Sequence, residues 1–299
     1  MKQLKFEIPE LLLADKEGFL WLVSLWEFLQ NSIGNEVFIL FDRCKQIDAN
    51  LSAVLGAFFD DWSDKGVRVF LSKPLNRSVL KALSRNGFFS SFDVKTAIED
   101  NENFVKYRDF GVSESEAFKN YLHGELLQKQ RFPNCTVKAR DRIVESIYEV
   151  FANAVTHSGK QSVYTCGESH QRHGVPMLDM TIANLGRTIP DNVNSHLSMH
   201  ELKILSPEDT LRWAFKKGNT TKLIPGGLGL DILREFIDLN EGSIQMVSGS
   251  AMLSYKNKKF TTESLEKEFP GTIVTLNFNC ADQKSYSLTE EVVNLQDLL

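Results

Sequence analysis

The chain has 299 residues, of which 42% are hydrophobic and 24% charged, and a formal net charge of −5. That length fits about two domains, the composition is that of a globular protein able to bury sizeable cores, and the acidic balance gives no general pull toward nucleic acid or an anionic membrane. Four cysteines, Cys44, Cys135, Cys166 and Cys280, lie far apart with no C-x-x-C pair, which argues against zinc and a disulfide framework and fits a reducing cytoplasm.

The first hundred residues alternate strand and helix patterns. Lys5 to Ile8 reads as a short strand, Glu17 to Ile33 as a helix, Val37 to Phe41 as a buried strand and Ala49 to Trp62 as a second helix. Val67 to Leu71 and Ser78 to Arg85 continue the alternation. Helices of this length between strands predict a small, mostly parallel sheet with crossover helices. The most apolar window, Phe19 to Leu29, is too short to span a bilayer and contains Glu27, so it reads as a core helix.

From Ile98 to Glu116 the chain turns acidic and polar, predicting a boundary near Asn101, with residues 101–136 as linker and helix. The helix, Phe118 to Lys129, carries His123 before Gly124, a residue of low helix propensity; we read that histidine as exposed and structural.

Asp141 to His157 is the most informative stretch. Ile143, Ile147, Val150, Phe151, Ala154 and Val155 recur at helical spacing, so one stripe faces a core. On a neighbouring face Glu149, Asn153 and His157 follow one another at one-turn intervals. An amide oxygen is a hard ligand for magnesium, which takes few protein ligands and keeps most of its waters. A carboxylate one turn away can orient a water or take a proton from an attacking hydroxyl. On its own this is also what an ordinary polar helix face looks like; the segments that follow change the balance.

Leu178 to Pro190 alternates like a strand and ends in Asn184-Leu185-Gly186. Asp191 to Pro225 has little apolar periodicity before Leu211, which predicts a polar lid. His196 and His200 within it lack a third ligand, so we assign them to solvent. Lys216, Lys217 and Lys222 precede Gly226-Gly227-Leu228-Gly229, which runs into the helical pattern from Leu230 to Asp238. Glycines entering a helix present free N–H groups and the positive dipole end to an anion. A dinucleotide fingerprint is rejected, since the third glycine is missing and Val247 stands where an acid is expected. Ser243 to Val247, Met252 to Tyr255 and Gly271 to Phe278 read as strands, Lys256 to Lys259 as an exposed turn, and residues 283–299 as an acidic tail.

In order and spacing, E-x-x-x-N-A-x-x-H, the G-x-x-I-P loop, T-T-K and G-G-L-G-L resemble the N box and glycine boxes of the gyrase, chaperone, histidine-kinase and MutL (GHKL) ATP-binding superfamily, over roughly residues 137–282. The resemblance implies ATP and Mg2+ as cofactors. Glu149 would be the polarising base, Asn153 the magnesium ligand and Asn184 the adenine contact. Gly186 and Ile189 would line the base pocket, Lys222, Gly226, Gly227, Leu228 and Gly229 would hold phosphates, and Thr272 would sit beneath the adenine. Two positions depart from the pattern: Asn184 stands where the family has Asp, and Thr188 replaces a glycine. The Asn carbonyl still accepts from an exocyclic amine, but without the carboxylate's charge the hydrogen bond is weaker by about 1 kcal/mol or more.

FILFDRCKQIDANLSAVLGAFFDDWSDKGVRVFLS resembles a STAS domain, the anti-sigma-antagonist fold, within residues 1–100. Ala49 occupies the place of that family's phosphorylated serine. The implied fold is therefore α/β: a small STAS-like domain followed by a Bergerat-type two-layer sandwich that binds ATP. Two functions follow from these resemblances. One is a cytoplasmic Mg-ATP-dependent ATPase or serine/threonine kinase-type switch acting on a protein partner; the other is a non-catalytic ATP sensor whose lid closure controls docking. No nucleic acid or membrane is expected as partner, and the STAS-like half is expected to touch the lid in cis.

Overall fold

The computed structural model describes residues 1–96, 104–129, 132–160, 162–172, 174–216, 218–219, 229–288 and 291. The N-terminal half comprises β1 (Gln3–Glu7), β2 (Leu11–Leu12), α1 (Lys16–Gln30), β3 (Glu36–Leu40), β4 (Gln46–Ile47), α2 (Ser52–Asp64), β5 (Arg68–Leu71), α3 (Arg77–Arg85) and α4 (Phe88–Ser91). As its alternation predicts, β1, β3 and β5 form a parallel sheet in that order, with α1 and α2 in the crossovers. The start of α1 is fixed twice. The Asp15 carboxylate accepts from the Gly18 N–H at 2.9 Å, and a Cβ on Gly18 would lie 1.9 Å from the Leu13 carbonyl oxygen. The helix then lays Trp21 and Phe28 against Phe6 of β1. Its neighbour α2 is preceded by one 3-10 turn at Ala49–Leu51.

The second half comprises β6 (Phe104–Gly111), α5 (Ser115–Tyr121), β7 (Asn134–Cys135), α6 (Val137–Ser158), β8 (Ser162–Arg172), β9 (Val175–Leu185), α7 (Ile189–Met199), α8 (Pro207–Phe215), α9 (Gly229–Asn240), β10 (Ser243–Lys256), β11 (Lys259–Asn279) and β12 (Ser285–Tyr286). A separate five-stranded antiparallel sheet runs β10-β11-β9-β8-β6. Asn257 and Lys258 close the β10–β11 hairpin with φ of 51° and 61°, a two-residue turn whose twist suits antiparallel strands.

Several segments differ from the sequence expectation. Part of the stretch read as linker is β6, whose Val105, Tyr107 and Phe110 are buried between charged neighbours. The helix expected over 118–129 is α5 followed by a π-helical turn, Leu122–Leu127. The stretch read as a polar lid contains α7 and α8, which bury only Val193 and Leu197, and Thr210, Leu211 and Phe215. The two short runs at 243–247 and 252–255 are one strand, β10, with a register irregularity around Gly249 at φ 57°.

Each face of the antiparallel sheet carries its own core, as strand alternation requires. Leu178, Met180 and Ile182 of β9 pack with Ile143, Ile147 and Phe151 of α6 and Leu233 and Ile237 of α9. Ala183 and Leu185, from the opposite parity, join a core built with Phe19, Phe58 and Phe59 of the N-terminal half. Helix α1 lies on β11, and α2 lies on β8 and β9; Phe58 stacks on Phe269 with centroids 5.8 Å apart. Lys16–Glu266, Lys267–Glu27 and Lys160–Asp61 pairs rim the interface. Among the described residues, the N-terminal half thus packs along the sheet's back face. Residues 217 and 220–228, the end of the expected lid, lie outside the described residues.

Candidate functional site

Helix α6 starts where the Thr136 hydroxyl accepts from the Ala139 N–H at 3.2 Å, and it stops at Gly159 with φ 71°. Glu149, Asn153 and His157 are half-buried along its flank, beside the stripe of Ile143, Ile147, Val150 and Phe151 that faces the sheet. The last turn has partners for its free carbonyls. The Ser158 carbonyl accepts from the Arg187 N–H at 2.9 Å, and the His157 carbonyl accepts from the Asn192 amide at 3.3 Å. The loop after β9 is thereby tied to the end of the helix that carries Glu149 and Asn153.

Gly186 makes that closeness achievable. Its φ is 106°, and a Cβ there would lie 2.1 Å from the Ser158 carbonyl oxygen. Thr188, at a position where a glycine is expected, has a local task. Its hydroxyl accepts from the Asp191 N–H at 3.2 Å and the Asp191 carboxylate accepts from the Thr188 N–H at 3.1 Å, a reciprocal cap at the start of α7. The T-x-x-D spacing carried that signal in the sequence.

Asn184, one residue before the end of β9, lies on the same face as Met180 and Ile182, the α6 face, and is buried with 4% exposure. Thr272 lies directly opposite it on β11, and Ser248 lies opposite Thr272 on β10. These three polar side chains form a row across adjacent strands at the end of the sheet that meets the Gly186 loop. The Ser248 hydroxyl is 2.8 Å from the Thr272 hydroxyl and accepts from the Ile189 N–H at 2.9 Å. Ile189 itself is half-buried against the α6-side core. Sequence reasoning did not single out Ser248, because a serine in a strand gives no motif.

Asn184, Gly186, Ile189 and Thr272 are therefore brought together, and the loop that joins them is bound to the end of α6. Gly229 opens α9, which packs along α6. Lys222, Gly226, Gly227 and Leu228, assigned to the phosphates, lie outside the described residues. The two lid histidines turn to each other, His196 and His200 with rings 4.6 Å apart and His196 against Trp213. His123, expected to be exposed, is half-buried, its Nε2 3.9 Å from Asp141.

The row carries hydrogen-bonding groups of the kind a base edge pairs with, and it lies beside a loop drawn tight against the end of α6, where a side chain on Gly186 would meet the Ser158 carbonyl oxygen. Magnesium fits less fully: among the described residues no three His, Cys, Asp or Glu side chains are grouped to hold a metal, so the Asn153 oxygen would need phosphate and water as co-ligands.

A second polar cluster lies on the sheet's opposite face, under the N-terminal half. The Glu168 carboxylate accepts from the Ala49 N–H at 2.8 Å, and the Asp48 carboxylate accepts from the Ala14 N–H at 2.8 Å. The Asn50 amide donates to Thr181, whose hydroxyl meets that of Thr275. Burial, with Asp48 nearby, pushes the Glu168 and Asp179 carboxyls up to about 8. Burial also lowers the His170 imidazole.

No protein-family model matches the chain, and no curated protein matches it. Among the described residues no helix is long and apolar enough to cross a membrane.

Proposed function

We propose that the chain is a Mg-ATP-binding regulatory protein of the histidine-kinase-like (GHKL) type, with a Bergerat-type nucleotide site on the α6 face of the antiparallel sheet. One observation carries the reading. The Asn184–Ile189 segment, Thr272 nearly ninety residues later and the end of the helix bearing Glu149 and Asn153 meet at one end of the sheet.

In this reading ATP supplies a transferable terminal phosphoryl group. Asn184 and Thr272 would hold the base edge, Gly186 lets the loop beside them close onto the end of α6, and Asn153 would supply one oxygen to magnesium. Glu149, one turn from Asn153, orients a water or takes the proton of a protein serine or threonine hydroxyl as it attacks. General-base help of this kind contributes about 10²–10⁴ in rate. The outcome is slow ATP hydrolysis or protein phosphorylation, with a protein as substrate.

A second reading, an ATP sensor without chemistry, is favoured by Asn184 in place of an acid and by the N-terminal half. That half is STAS-like in our reading, and it has Ala49 where a phosphorylated serine would lie, with its N–H bound to Glu168. Product analysis separates the two. A catalyst releases ADP or labels a protein, and Glu149→Ala abolishes this while ATP still binds. A sensor binds ATP with no turnover, and Glu149→Ala changes nothing.

A further inference from the structure

Ser248 is completely buried and has one hydroxyl proton, yet three polar groups surround its oxygen. The Gly271 carbonyl lies at 2.8 Å, the Thr272 hydroxyl at 2.8 Å and the Ile189 N–H at 2.9 Å. A carbonyl only accepts and an N–H only donates. The Ser248 proton therefore goes to Gly271, since otherwise two oxygens would abut at 2.8 Å with no hydrogen between them. Its lone pairs take the Ile189 N–H and the Thr272 O–H. Thr272 has then used its only proton and offers nothing but acceptor lone pairs.

The neighbouring position is fixed in a similar way. The Asn184 Nδ2 donates to the Leu185 carbonyl at 3.3 Å; the flipped amide would set its oxygen against that carbonyl. Asn184 thus keeps its Oδ1 as an acceptor and one N–H as a donor. Across the β9–β11 pair, Thr272 and Asn184 present two acceptors and one donor on the same face.

We infer that Ser248 is a positioning residue that sets base preference: by taking the Thr272 proton it makes Thr272 an acceptor, selecting a purine with an amine at C6 over one with a carbonyl there. The inference rests on the nucleotide reading above. The same serine holds the Ile189 N–H, so the loop after Gly186 and the base-facing oxygen are set by a single side chain.

The test is calorimetry of ATP and of GTP, each with magnesium, on the full-length chain and on Ser248→Ala and Ser248→Thr, with thermal melting of each variant. The wild type is expected to prefer ATP by about tenfold or more, because a buried polar site rejects a base that leaves its groups unpaired. In Ser248→Ala the Thr272 proton is free to turn toward a base carbonyl, and the ATP-to-GTP ratio should narrow by about fivefold or more. Ser248→Thr keeps the hydroxyl and should keep the ratio. A purely structural serine would lower the melting temperature and leave the ratio alone, which overturns the inference. A wild type that binds both nucleotides equally overturns it too, with the nucleotide site intact. Binding of neither removes the nucleotide reading and this inference together.

Discussion

The carboxylate of Glu168 on β8 accepts a hydrogen bond from the backbone N–H of Ala49, 119 residues earlier, at 2.8 Å. This bond joins the two halves of the chain at the start of the turn that leads into α2. Asp48, Asp179 and His170 crowd the same seam; the His170 Nδ1 is 3.5 Å from an Asp179 oxygen.

The seam makes stability depend on pH. Glu168 and Asp179 are raised by burial to about 8 from ordinary values of 4.5 and 3.8. The folded state therefore holds their protons more tightly than the unfolded chain does. Their stabilising contribution is full below the ordinary carboxylate range and is lost as pH rises through about 8. His170, lowered from 6.5, acts with the opposite sign and only below that value. Between pH 6.5 and 8 the carboxyls thus decide the slope. Melting temperature should fall over that window, and Glu168→Gln, which keeps an acceptor for Ala49, should flatten the fall. Identical slopes in the two proteins would refute the assignment.

Gly186→Ala should be among the most damaging single changes outside the apolar cores. It places a side chain on a residue at φ 106° and 2.1 Å from the Ser158 oxygen. We expect a loss of about 1–3 kcal/mol from backbone strain alone, read by urea denaturation. A midpoint shift no larger than for a surface Gly→Ala at Gly124, where a Cβ meets nothing within 4 Å, would contradict this.

Removing the first hundred residues is a poor test of coupling between the halves, because it would bare Phe269, Ile273, Leu185 and Ala183 on the sheet's back face. Phe269→Ala should itself cost about 3–5 kcal/mol. A gentler probe is the Lys160–Asp61 pair at 2.5 Å, since Lys160 adjoins Gly186. Asp61→Asn should change stability by less than about 1 kcal/mol, as partly exposed pairs do. If the halves communicate, it should shift ATP affinity severalfold; unaltered affinity would mean the halves are joined but not coupled through this pair.

Much of this was legible in the residues. The alternation of the first hundred residues gave the parallel sheet and its crossover helices. The strand ending at Asn184 and the stripe of α6 were plain from their periods, and Gly186 from its place after a strand. Strand β6 was not, because Val105, Tyr107 and Phe110 sit among Lys106, Arg108 and Asp109 in a stretch whose composition reads as linker. Helix α7 was hidden because it buries only two apolar side chains; its Thr188 cap was the better signal. The docking of α1 and α2 onto β8, β9 and β11 was beyond reach, since it depends on pairings between distant segments that leave no local period. Ser248 belongs to the same class: its role exists only through Gly271, Thr272 and Ile189.

The most direct measurement is calorimetric titration of the whole chain with ATP and with ADP, in the presence and absence of magnesium, alongside Asn153→Ala. The account predicts saturable ATP binding that magnesium strengthens, with the magnesium effect lost in Asn153→Ala. No binding of either nucleotide at millimolar concentration, with or without the cation, would contradict it.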